Sequence, residues 1–368
     1  MENRISLPVY IRLSQIVLGI VAFFYVMYVG QDIILPLTFS LIIAILLNPF
    51  VNYLQRKGCN RVAAIFIAVF LAFLVTVGLL YLIGSQVSMF TDSLPQLKQK
   101  LNVIFKDSIG WVSHHFNVST AKINEWITKQ KSDGMSNSSA MIGQTLTTIT
   151  NVLVIVFLLP VYIFMLLFYK PLLLDFIARL FPTDRHKEVI EVLSQTKSLI
   201  QSYLAGLLIE AGLVATLNTA GLLLLGIDYA LLIGVIGALL NVIPYIGGIV
   251  AIALPMIIAL ATKEPVYAIY VFGVYMLVQF IDNNFIVPRI VASKVKINAL
   301  VSIVVVLIGG ALWGVPGMFL SLPLTAILKV IFDHITPLKP LGFLLGDTMP
   351  AMTIFKFKYK KIIHSKTK

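Results

Sequence analysis

The sequence predicts an all-α, polytopic helical membrane protein. It reads as about six full spans plus two re-entrant hairpins broken by Gly and Pro, or about eight spans if those runs cross fully, with an inverted repeat in the C-terminal half. Three observations predict this. First, the 368 residues are 59% apolar and only 12% charged, with mean hydropathy +0.95, whereas a soluble domain is about half apolar and a quarter charged. Second, several charge-poor windows reach the roughly 20 residues that span the hydrocarbon core. Third, two such windows carry Gly and Pro at their centres. Alternating strand patterns are absent, which argues against a barrel.

The net charge of +12 would suggest nucleic acid in a soluble chain. Here the positive residues sit in loops and tails, where they set orientation, so no nucleic-acid partner is expected. The single cysteine, Cys59, lies in a short basic turn with no metal-ligand spacing beside it, so neither a disulfide nor a metal site is expected.

Residues 1–87 are expected to hold transmembrane helices 13–29, 33–53 and 62–87. Arg4 and Arg12 precede the first run as in a signal peptide, but no small-x-small cleavage site follows, so the run reads as a retained helix. Gly58, in QRKGCNR, reads as a helix C-terminal cap. Residues 88–140 regain charge, with apolar residues at helical spacing (Leu94, Leu97, Leu101, Ile104, Phe105). They are assigned to an extracytoplasmic helical segment, with a helix start at Ser93 and Pro95. Residues 141–198 hold a fourth span (146–169, with Pro160 inside) and a cytoplasmic amphipathic helix capped by Thr183 or Asp184. Residues 199–335 form a core with a fifth span to about residue 225, the interrupted run 229–262, a sixth span (265–286) and the interrupted run 299–328. Residues 336–368 are a cytoplasmic basic tail ending KFKYKKIIHSKTK.

Loop charges bear on the broken runs, because cytoplasmic loops collect Lys and Arg. With both termini inside, two full crossings put Arg289, Lys294 and Lys296 outside and Lys263 inside; two hairpins reverse this. Three against one favours hairpins. The halves then form similar units of opposite orientation, sharing a glycine followed by Leu-Pro (Gly248…Leu254-Pro255 and Gly317…Leu322-Pro323). Paired Gly/Pro-interrupted segments in corresponding halves point to a transporter site.

Polar residues at membrane depth are the binding candidates. Glu210 lies in the fifth span, with Asn218 at i+8 on about the same face. Asn241 precedes the first break. Gln279, Asp282 and Asn283 follow in the sixth span. Against a functional role, the amides can act as interhelical glue, Asp282 can sit at the cytoplasmic interface near Arg289, and Glu210 can be a structural pair. Tyr245 can stack on a ligand or serve as an interface aromatic. GxxxxGK[ST], HExxH and GxSxG are absent, so no nucleotide-driven pump and no enzyme is expected, and no cofactor.

Three stretches resemble the autoinducer-2 exporter family of bacterial permease-like proteins: GIDYALLIGVIGALLNVIPYIGG (226–248), QFIDNNFIVPRIV (279–291) and LIGGALWGVPGMFLSLPLTAILK (307–329). The resemblance implies a multipass protein of the bacterial inner membrane, moving small solutes as a homo-oligomer; pentamers and elevator-like movement are associated with the family. It places Pro244, Tyr245 and Gly247, with the adjoining Gly248, at the first hairpin tip. Gln279 and Pro288 fall in the second motif, and Gly310, Gly314, Gly317 and Pro323 in the second hairpin. Gly248 stands where members usually have proline, and Asn298-Ala299 where many have His-Pro. Export of a small polar solute such as autoinducer-2 is the first functional expectation. Sodium(lithium)/proton antiport, also attributed to members, is the second, and a non-transporting membrane scaffold built on the outer segment is the third. Cysteines placed at Lys263 and Lys294 in a Cys59-free background report the topology. Labelling of Lys263 from outside and Lys294 from inside is the expected result, and the reverse pattern means two ordinary spans.

Overall fold

The computed structural model describes residues 8–116, 157–241, 247–292 and 296–348. Among them the regular structure is helical, apart from one isolated bridge between Ile297 and Gly346. The helices are α1 (Val9–Val29), α2 (Gln31–Arg56), α3 (Arg61–Phe116), α4 (Phe157–Phe168), α5 (Lys170–Arg179), α6 (His186–Leu224), α7 (Ala230–Asn241), α8 (Gly247–Thr262), α9 (Val266–Ile281), α10 (Ala299–His334) and α11 (Lys339–Leu345). By length and apolarity five described helices can cross a bilayer, or six if the pair α4–α5, bent by 59°, is one span. The outward faces of the described helices, the shorter α1 included, carry large apolar residues such as Leu18, Tyr25, Tyr81 and Ile269. In water these would be a liability; in a bilayer they are the solvated surface.

Local chemistry sets several boundaries. At Gly58 (φ +96), Gly58 N–H bonds Gln55 O and Cys59 N–H bonds Leu54 O. This left-handed cap is open to glycine at little cost. Gly226 (φ +62) closes α6 in the same way through Leu223 O and Leu222 O. Two expected starts are absent. α3 runs through Pro95 without a break for 56 residues, because one proline removes a single i→i−4 bond. At about 1.5 Å per residue α3 extends far beyond a ~30 Å hydrocarbon core. Thr183 and Asp184 form a 3₁₀ turn, and α6 starts at His186 without a side-chain cap. Residues 117–156, and with them most of the expected outer segment and the start of the fourth span, lie outside the described residues.

α6 is the spine. α9 runs antiparallel along it: Gly221 meets Val274, and Gly206 lies 2.8 Å, measured from its would-be β-carbon, from Ile290 O. α7 folds back along the other side, with Gly234 against the Thr219 backbone and Gly237 near Asn218. Small residues let the backbones approach where lipid offers no hydrophobic drive. Gly212, by contrast, has nothing near it and plays no such part.

The chain reverses at both interrupted runs. α7 and α8 are antiparallel: Ala230 and Ile233 at the start of α7 share a core with Ile258 and Ala259 at the end of α8, and Gly247 abuts Leu240 O across the tip. With 12 and 16 residues, the arms are about 18 and 24 Å long, each shorter than the hydrocarbon core. α10 is one apolar stretch of 36 residues, but its backbone leaves helical geometry at Trp313 and at Gly314 (φ 63, ψ −146). Gly309 and Gly317 touch backbone to backbone, whereas eight residues of straight helix would separate them by ~12 Å. Arms 299–312 and 315–334 are therefore a hairpin. Gly314 has open space around it, so the cost of a side chain there is purely conformational. Gly314→Ala is expected to lower stability in detergent by about 1–3 kcal/mol. Gly273→Ala, on a helix face with nothing within 4 Å, is expected to be neutral or stabilising. Thermal unfolding of the two variants checks this; equal midpoints would contradict it.

Candidate functional site

Three antiparallel helices put three matched residues each into one interface. α6 contributes Glu210, Val214 and Asn218, on one face by their spacing of four. α7 contributes Asn241, Ala238 and Gly237. α9, with the turn that follows it, contributes Asp282, Val278 and Tyr275. Val214, Ala238 and Val278 pack together as a small apolar core. On one side of it lie Glu210, Asn241 and Asp282; on the other lie Asn218, Gly237 and Tyr275.

Asp282 is 1% exposed. Asn241 Nδ2 donates to its Oδ2 at 2.8 Å, while Oδ1 has no hydrogen-bond partner among the described residues. The residue opens a stretch of π-helix, Asp282–Ile286, followed by a second at Pro288–Ala292. Such wide turns leave the regular hydrogen-bond ladder, and they recur at functional sites. Pro288, which has no N–H to donate, adds to the disruption. Glu210, one turn before Val214 on the same face of α6, is 6% exposed. Neither carboxylate joins the ion pairs Arg179–Asp175, Lys329–Asp333 or His334–Glu191.

The hairpin tip meets this cluster. A β-carbon at Gly248 would lie 3.4 Å from Gln279 Oε1 and 3.8 Å from Asn241 Oδ1. The first turn of α8, whose end carries partial positive charge, is thus bordered by both amides. Glycine here keeps the approach open, where a larger residue would stand between α8 and Gln279.

The structure thus brings Asn241 and Gln279 to Gly247 and Gly248, joins Asp282 to Asn241, buries Glu210 on the facing helix α6, and places Asn218 in the second layer. Asn283 is exposed and stands apart. Pro244 and Tyr245 lie outside the described residues. Gly310, Gly314, Gly317 and Pro323 belong to the second hairpin. Its core is shared with Ile42 of α2 and with Ile200, Tyr203, Leu204 and Leu207 of α6, the turns just before Glu210. Tyr275 was not among the residues singled out by sequence. It is four residues before Gln279 and seven before Asp282, so their common face was a usable signal; in an apolar helix rich in tyrosine it reads as a membrane aromatic instead.

Two carboxyl groups buried within one set of packed helices need a proton, a cation or a hydrogen-bond donor to offset charge there. Buried polar groups beside broken helices inside a polytopic helical bundle are the arrangement of a membrane transporter of the permease class. The chain belongs to the AI-2E transporter family, whose model matches residues 17–336. It is similar to the AI-2 transport protein TqsA of Escherichia coli (strain K12), 26% identical over 86% of this chain and 90% of that protein. YueF of Bacillus subtilis (strain 168), assigned to transport by name only, is 24% identical over 82% of this chain and 84% of its own length. PerM of E. coli (strain K12), a permease by name only, is 27% identical over 90% and 94%.

Asn241→Leu removes the hydrogen bond to Asp282 and leaves the carboxylate unpaired. It is expected to cost about 2 kcal/mol in thermal stability, and Asp282→Asn in the same chain is expected to recover part of that. An unchanged melting temperature in Asn241→Leu would speak against the pairing.

Proposed function

We propose that this chain is a secondary transporter of the bacterial cytoplasmic membrane, with both termini in the cytoplasm, that moves a small polar solute past the Glu210–Asp282 cluster. The observation that carries this reading is the buried Asp282 by the hairpin tip, with one oxygen unpaired among the described residues, two amides near it and a second buried carboxyl group, Glu210, on the facing helix. An amide-rich site suits a polar, uncharged molecule, which needs hydrogen bonds and no fixed counter-charge. TqsA's name makes AI-2 the first solute to test. The two interrupted runs are taken to enter the bilayer from opposite faces, so that the site lies where irregular backbone is shielded from lipid. A homo-oligomer, a pentamer included, belongs to the same proposal, and the apolar outer face of α1 is a surface on which copies can pack.

A second reading is sodium(lithium)/proton antiport. It is favoured by the unpaired Asp282 Oδ1 next to Glu210, since a carboxylate pair can exchange a proton for a monovalent cation. The full chain in proteoliposomes separates the two. AI-2 efflux is measured directly, and Na⁺ or Li⁺ pulses are followed with an internal pH dye. Glu210→Gln is expected to cut the coupled flux at least roughly ten-fold, the scale of one lost buried charge interaction. Cation-driven proton movement that disappears in Glu210→Gln supports antiport. AI-2 efflux without it supports the solute exporter, and a wild-type chain that moves neither probe sinks both.

A further inference from the structure

The Glu210–Asp282 cluster leaves the second polar layer unused. Asn218 is 2% exposed and Tyr275 4%. Asn218 Oδ1 and Tyr275 Oη have no hydrogen-bond partner among the described residues. Both side chains face the same spot. The β position of Gly237 is 3.1 Å from Tyr275 Oη and 3.5 Å from Asn218 Nδ2. Buried polar atoms in native proteins are paired with protein, water or ligand. Two unpaired ones, Tyr275 Oη beside Gly237 and Oδ1 of the same Asn218 amide whose Nδ2 borders that glycine, therefore lack a partner that water or a ligand would supply.

We propose that Asn218, Tyr275 and the α7 backbone at Gly237 form a second, uncharged subsite on the transport route, which takes a single hydroxyl-sized hydrogen-bonding group. That group is a water molecule or a hydroxyl of the solute. The proposal rests on the transporter reading above.

The chemistry of the layer selects this class. An amide oxygen accepts, an amide nitrogen donates and a phenol does both, so a hydroxyl or water finds complementary partners at once. Among the described residues named in this layer none is charged, so an ion finds no counter-charge there. Gly237 keeps a side chain away from both polar groups, since a β-carbon there would crowd the Tyr275 hydroxyl at 3.1 Å. Position separates the layer from the first site. The two polar layers are eight residues apart on α6, seven on α9 and four on α7, about 6–12 Å along the helices. Val214, Ala238 and Val278 lie between them, and an apolar layer of this kind does not hold water. A solute of a few heavy atoms therefore meets the two layers in succession, the first charged and exchangeable, the second neutral.

The test uses the full chain. A map fine enough to show ordered water is expected to carry one peak within hydrogen-bond distance of Asn218 Oδ1 and Tyr275 Oη. A peak without added solute identifies water. A peak that appears only with AI-2 identifies a solute hydroxyl. Either supports the subsite. In proteoliposomes, Tyr275→Phe keeps the ring and drops the hydroxyl, and it is expected to slow AI-2 or cation-driven proton flux roughly three- to ten-fold, the worth of one hydrogen bond. Gly237→Ala, whose methyl would crowd the Tyr275 hydroxyl, is expected to do the same. No peak under either condition, or Tyr275→Phe at wild-type flux, overturns the subsite. Glu210→Gln reports separately: its loss of flux beside a normal Tyr275→Phe leaves the transporter reading standing.

Discussion

A backbone carbonyl inside hydrocarbon has no water to bond, and this chain interrupts its helices repeatedly. Each interruption frees a carbonyl that the protein itself must satisfy. Pro49 has no N–H for Ile45 O, and Gln201 Nε2, reaching across from α6, donates to it at 2.7 Å. Pro171 likewise deprives Leu167 O, and Arg61 donates to it at 3.1 Å and to Phe168 O at 2.6 Å, tying the bend between α4 and α5 to the start of α3. Trp313 Nε1, at the tip of the second hairpin, donates to Met27 O near the end of α1. These donors are also the tertiary contacts that hold separate helices in register. The breaks and the packing are one arrangement.

The feet of the second hairpin are held the same way. Asn298 Oδ1 accepts from Val301 N and caps α10, while its Nδ2 donates to Leu344 O in the last turn of α11 and to Gly346 O just beyond it. One side chain thus joins the start of the hairpin to the segment that follows its end. Asn suits this cap, because its side chain offers both an acceptor and two donors at short reach. With the tip fastened to α1 and the feet to each other, the hairpin is braced along its length.

The first hairpin meets a different demand. Its tip lies against polar side chains rather than a fastening donor: the amides of Gln279 and Asn241, and through Asn241 the carboxyl group of Asp282, one of whose oxygens has no partner among the described residues. Glycines at 247 and 248 allow that contact, and the apolar core of Val214, Ala238 and Val278 keeps the charged layer apart from the neutral one. Charge burial is costly in a bilayer, so its place beside broken backbone, where partners can change, is where function and structural cost meet.

The helices, their apolar character and the positions of both breaks were legible in the sequence, because lipid demands long uncharged runs and a cluster of Gly and Pro inside one is conspicuous, while loop charge favoured reversal over full crossing there. Glu210, Asn241, Gln279 and Asp282 were legible as candidates for the same reason: polarity at that depth is expensive and therefore conspicuous. Their meeting was not. It depends on α7 and α9 both lying antiparallel to α6 in one register, set by close contacts at Gly206, Gly221, Gly234 and Gly237 that no local pattern encodes. Tyr275 was hidden because an aromatic in an apolar helix is ordinary until Asn218 faces it. Asn283 was drawn in by its neighbours, though the wide turn after Asp282 leaves it exposed. Pro95 read as a break that the long α3 absorbed. The sequence by itself determined what each segment is, since composition responds to the solvent around it. Only the tertiary structure decided which segments face each other, since that follows from close backbone approach between residues far apart in the chain.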